Sequence, residues 1–88
     1  MTQDAATLLR ALSQAGGGAP EGGVRIVINR GTDSLSMGLA DHPELTDAVV
    51  TRGDSRLFLS EPAARRMRGQ TLCAEIKPAR SVFFLRSD

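Results

Sequence analysis

The hydrophobic pattern changes period once, near residue 24, and that change governs what this chain can become. Before it, Ala5, Leu8, Leu9 and Leu12 recur at the i, i+3, i+4, i+7 spacing of one helical face. A helix is expected over residues 4–15, with Asp4 accepting the free amides of the first turn and Gly16 taking the left-handed conformation that closes it. The stretch 16–23 is rich in glycine and holds Pro20, so it reads as a surface loop. From Val24 onward the period is two. Val24, Ile26 and Ile28 share one face with Arg25 and Asn29 on the other, and Leu35, Met37 and Leu39 alternate with Ser34, Ser36 and Gly38. Residues 48–51 and 56–59 flank Arg52-Gly53-Asp54-Ser55, the signature of a hairpin. Ser60 to Gly69 reads as a short helix with Ser60 as cap, Pro62 in the first turn and Ala63 and Met67 facing inward. Two closing strands follow, one with Leu72, Ala74 and Ile76 inward and Thr71, Cys73 and Glu75 outward, the other over 81–86. One helical segment followed mostly by strands predicts a mainly β, α+β fold, and 88 residues predict a single domain over 1–88.

The charge balance narrows the partners. Eleven basic and ten acidic residues give a net charge of +1, and there is neither Trp nor Tyr to stack on bases, so no nucleic acid is expected. No apolar run approaches the ~18 residues of a membrane span, so no membrane is expected either. The N-terminus lacks the layout of a secretory signal, and one cysteine excludes an internal disulfide framework, which makes the cytoplasm the expected address.

Few residues carry candidate chemistry. Cys73 falls on the polar side of its strand, where an accessible thiol could contact a metal or a second chain, though the plainer reading is a small strand residue. Asp41, His42 and Glu44 are donors within one loop but have no spaced second pair of ligands. Arg65, Arg66 and Arg68, with Arg52 and Arg56 nearby, could meet an acidic partner, or could be a solvated helix face. Arg52-Gly53-Asp54 is read as turn chemistry. The glycines of 16–23 follow a helix and precede a strand, the wrong order for a phosphate cradle. No acid, base and nucleophile are visibly paired, so an enzyme is not expected. Val82, Phe83, Phe84 and Leu85 are consecutive and apolar, so one alternate pair needs covering, by the core or by an interface; with Arg65, Arg66 and Arg68, Phe83 and Leu85 form the expected interaction surface.

Taken in order, the helix, the Gly/Pro loop, Val24-Arg-Ile-Val-Ile28, Asp47-Ala-Val-Val50, Leu57-Phe-Leu-Ser-Glu-Pro-Ala-Ala64 and Leu72-Cys-Ala-Glu-Ile76 resemble the HesB/IscA family of A-type iron-sulfur carriers over residues 3–86, and in particular its short, cysteine-poor members. The resemblance implies a flattened pseudo-barrel of two small mixed sheets with an N-terminal helix and a short second helix. It also implies cluster ligation through a cysteine after the first strand and a Cys-Gly-Cys near the C-terminus, often across a dimer. Here Asp33 stands approximately where that first cysteine would be, and residues up to Asp88 contain no Cys-Gly-Cys. Soft thiolates hold such clusters, and a lone carboxylate cannot replace three of them. The expected function is therefore a non-catalytic accessory or protein-binding domain without a cofactor, with a protein partner or homodimer. The alternative is residual handling of iron or an iron-sulfur cluster, in which a dimer gathers Asp33 or Cys73.

Overall fold

In the computed structural model, which describes residues 1–17 and 21–88, the period-3.6 segment is helix α1 (Gln3–Ala15). Thr2, not Asp4, is its N-cap: the Thr2 hydroxyl accepts from the Ala5 N–H at 3.2 Å. Asp4 lies in the first turn instead, where a negative charge still complements the helix dipole. The left-handed residue that follows the helix is Gly17 (φ 69°) rather than Gly16 (φ −82°). Residues 18–20 of the expected loop lie outside the described residues.

The period-two segments become β1 (Gly23–Ile28), β2 (Leu35–Ala40), β3 (Ala48–Arg52) and β4 (Ser55–Leu59), in one sheet of order β2-β1-β4-β3. β1 runs antiparallel to β2 but parallel to β4, so this sheet is mixed. Gly23 permits that parallel contact, because a Cβ there would lie 2.2 Å from the carbonyl oxygen of Arg56. The β3–β4 hairpin closes as the sequence predicts, with Arg52 paired to Ser55 around Gly53, whose φ of +59° an L side chain rarely adopts. Helix α2 (Glu61–Arg66) begins at Ser60, whose hydroxyl accepts from the Ala63 N–H at 3.3 Å, and the segment after it turns at Gly69 (φ +77°). β5 (Gln70–Glu75) and β6 (Val82–Ser87) form a second sheet, which is a two-stranded antiparallel hairpin and not mixed.

One apolar core joins these layers. Ala5 and Leu9 of α1 meet Val24, Ile26, Leu57 and Leu59 of the first sheet, with Ala63, Met67, Leu72 and Ala74 completing the cluster. Two hydrogen bonds fix α1 in place: the Ser55 hydroxyl donates to the Ala6 carbonyl, and the Thr2 N–H donates to Leu72 C=O at 2.9 Å. Met37 and Leu39, expected inward, do point to the core side but are exposed, because they sit on the edge strand opposite a sheet of only two strands. Ile76 lies just past the end of β5 and is exposed as well.

The other face of the first sheet has its own anchor. β2 and β3 occupy opposite edges, so residues 41–47 must pass the two central strands. Arg25, on β1, holds that crossover: its Nε and Nη2 donate to the two carboxylate oxygens of Asp47, each at 2.9 Å, and Nη2 also reaches Glu44 Oε2 at 2.9 Å. The Glu44 N–H donates back to Asp47 at 2.9 Å. The Asp47 carboxylate is fully covered, and its hydrogen bonds from Arg25, aided by the Glu44 amide, outweigh the cost of burial and hold its pKa below the usual carboxylate range. Phe58, the register partner of Arg25, is buried on the same face.

Candidate interaction surface

The register of β5 and β6 decides which side of the Val82–Leu85 run meets water. Leu72 faces Leu85 and Ala74 faces Phe83 across the hairpin, so the four share one side, and Phe83 and Leu85 pack half-buried against the core. Val82 and Phe84 take the outer side and are 37% and 47% exposed. The aromatic most exposed to solvent is therefore Phe84, while Phe83 and Leu85, the two expected at an interaction surface, are half-buried and line a cleft.

That cleft opens between the free edge regions of the two sheets. Leu35 and Met37 of β2 form one wall, Phe83 and Leu85 of β6 the other, and Ile26 and Met67 lie deeper, enclosing about 190 Å³. Apart from backbone, its lining is apolar, so it suits an apolar side chain better than a charged ligand. The two-stranded hairpin does not reach far enough to close it over Met37.

The arginines are exposed but not left to themselves. Arg66 Nη1 donates to Asp33 Oδ2 at 2.8 Å, and Arg65 and Arg68 border a shallow depression that also contains Asp47 and Glu61. Carboxylates are interleaved with the basic groups, which weakens any single-sign field. The Arg52-Gly53-Asp54 charges are tied down similarly, Arg52 Nε donating to Gln3 Oε1 at 3.1 Å and Asp54 pairing with Arg10, which lowers the Asp54 pKa.

The candidate metal ligands are dispersed. Asp33, in the β1–β2 turn, holds a left-handed φ of 56° that aspartate tolerates and is exposed in its ion pair with Arg66. Cys73 is buried, not accessible as its alternation predicted: it is 3% exposed, and its thiol lies 3.6 Å from the Thr71 carbonyl. By register Cys73 lies opposite Phe84, on the side of the hairpin with Thr71 and Glu75, as alternation predicts, yet unlike Phe84 it is shielded from solvent. In the 41–44 segment Glu44 is held by Arg25, and His42 Nδ1 lies 3.2 Å from the Pro43 carbonyl. Among the described residues, no three His, Cys, Asp or Glu side chains gather into a group that could hold a metal. No described helix is long and apolar enough to cross a membrane.

Compared with protein-family models, curated proteins and solved structures, the chain has no match. Two features escaped sequence reasoning. The Arg25–Asp47 anchor joins residues with no local signal between them, and the cleft depends on how two sheets of unequal width are stacked. A partial signal for the second existed: Met37 and Leu39 give β2 an apolar side that six short strands could not all bury.

Proposed function

We propose that this chain is a non-catalytic, HesB/IscA-like accessory domain that binds a protein through the apolar cleft between β2 and β6. The observation that supports this reading is the cleft itself, an apolar cavity walled by Leu35, Met37, Phe83 and Leu85 and bordered by the exposed Phe84. An exposed apolar concavity beside an aromatic side chain has the composition of an interface core. The HesB/IscA-like part of the reading draws support from the element order and from two sheets sharing one core with an N-terminal helix. Handling of iron or a cluster has less behind it, since the one thiol is buried and the Asp33 carboxylate is paired with Arg66.

Photo-cross-linking tests the binding reading. A benzophenone amino acid at Met37, in cells producing the full chain, is expected to give a defined protein adduct, whereas the same group at the fully exposed Leu45 is not. Absence of any adduct at position 37 overturns protein binding. Anaerobic incubation with iron and sulfide is expected to leave the protein colourless, and a stable brown species with bound iron would overturn the assignment to a domain without a cluster.

A further inference from the structure

We infer that Met37 is a reversible oxidation site that controls the cleft: a peroxide converts its thioether to the sulfoxide, and binding of the partner weakens. This deepens the protein-binding reading and rests on it.

Four residues of the chain carry sulfur: Met1, Met37, Met67 and Cys73. The fold treats them unequally. Met67 and Cys73 are buried, at 7% and 3% exposure, and Met1 is half-buried against the core. Met37 is 40% exposed, because β2 is an edge strand that the two-stranded hairpin does not cover. Oxidation of sulfur follows access to solvent, so an oxidant reaches Met37 ahead of Met67 and Cys73.

Position 37 is also where an added oxygen changes the cleft most. Met37 pairs with Ile26 across the β1–β2 ladder and shares the lining with Leu35, Phe83, Phe84 and Leu85. Every side chain of that lining is apolar. In the free chain a sulfoxide oxygen at position 37 stays hydrated. Once a partner covers the cleft, that oxygen is cut off from water beside side chains that offer it no hydrogen bond, and a polar group buried in this way is penalised. The modification therefore acts on the complex and leaves the fold alone. The unoxidised thioether has the opposite property, since it is flexible and polarizable and packs well against apolar and aromatic groups. Met1 lies outside the cleft lining, so oxygen added there does not alter it.

The step is an oxygen transfer. A sulfur lone pair of Met37 attacks one oxygen of hydrogen peroxide: the S–O bond forms as the O–O bond breaks, sulfur loses two electrons, and the second oxygen leaves as water with both protons. Two thiols of a reductase reverse it, becoming a disulfide while the sulfoxide oxygen departs as water.

Peroxide treatment followed by peptide mass spectrometry tests the site. The peptide holding Met37 is expected to gain one oxygen before those holding Met67 and Cys73, with the melting midpoint unchanged. Binding is read with a benzophenone amino acid at Phe84, which lines the cleft and leaves residue 37 intact. The purified chain, irradiated in cell extract, is expected to give a defined adduct. Prior oxidation and removal of the peroxide should cut that adduct about tenfold, and a methionine sulfoxide reductase with dithiothreitol should restore it. Met37→Leu, which keeps an apolar wall without sulfur, should hold its adduct after peroxide. Met37→Gln should lose it without peroxide. Oxidation of Met67 or Cys73 as early as Met37, an adduct that survives oxidation of Met37, or an equal loss in Met37→Leu overturns the inference while protein binding stands. No adduct from the untreated chain overturns the binding reading, and this inference falls with it.

Discussion

Truncating Leu9 to alanine measures how firmly α1 is docked. Leu9 is 1% exposed and lies in the central cluster with Ile26 and Leu57, so the substitution removes three buried carbon atoms. At about 0.8 kcal/mol per buried carbon the transfer loss is ~2.4 kcal/mol. If some 40 Å³ of the vacated space stays open, the cavity adds about 1 kcal/mol. The sum, ~3 kcal/mol, is a large share of the total stability of roughly 4–13 kcal/mol expected at this length. It corresponds to a fall in melting temperature of about 12–24 °C for a domain of this size. Leu12→Ala is the control. Leu12 is on the same helix but 44% exposed, so its truncation forfeits about half the transfer term and opens no cavity, costing ~1.2 kcal/mol. Urea denaturation followed by circular dichroism reads both. Equal losses for the two variants, or a Leu9→Ala midpoint within error of the parent, would refute the docking of α1 through Leu9.

Three further outcomes follow from particular contacts. Gly23→Ala should cost more than about 3 kcal/mol or prevent folding, since its methyl group would lie 2.2 Å from a backbone oxygen of β4, whereas Gly38→Ala meets nothing within 4 Å and should be tolerated; thermal melts of both decide it. The Asp47 pKa is lowered in the folded chain, so its carboxylate stabilises the fold above the ordinary carboxylate range and that contribution is lost as pH falls through the lowered value; the stability gap between the parent and Asp47→Asn should be widest near neutrality and shrink below about pH 4, and a gap independent of pH would contradict the ion pair. Buried Cys73 should react with a thiol reagent on the order of 100-fold more slowly in the native chain than in urea, because reaction waits on opening of the β5–β6 hairpin, and equal rates would return the thiol to the surface.

What the sequence made legible is what local chemistry decides. The helical spacing of Ala5 and Leu9, the glycine turn between β3 and β4, and the Ser60, Pro62 and Gly69 signals around α2 each act within a few residues, and each element forms where those signals stand. Even there the cap is Thr2 rather than Asp4: the Thr2 hydroxyl accepts from the Ala5 N–H, while its own N–H donates to Leu72 of β5. Alternation gave the side of Cys73 but not its cover. Gly23 looked like one more glycine of a loop, and its requirement appears only when Arg56, far along the chain, comes within contact.

The candidate surface was half legible for the same reason. Four consecutive apolar residues from Val82 announce that something must be covered, but which pair turns inward is a question of parity. The pairing of Leu72 with Leu85 settles it, and a single-residue slip would exchange Phe83 for Phe84. Once the register is set, the functional consequence follows from counting layers. A four-stranded sheet is covered on its core side by α1, by Ala63 and Met67 of the α2 segment and by a two-stranded hairpin, and the edge strand β2 is left with Met37 and Leu39 exposed. The hairpin that falls short is the one whose outer edge carries unpaired amides and an exposed phenylalanine. Shortage of cover over Met37 and an edge of β6 that no strand pairs with among the described residues occur at the same place, and the apolar cleft opens between them.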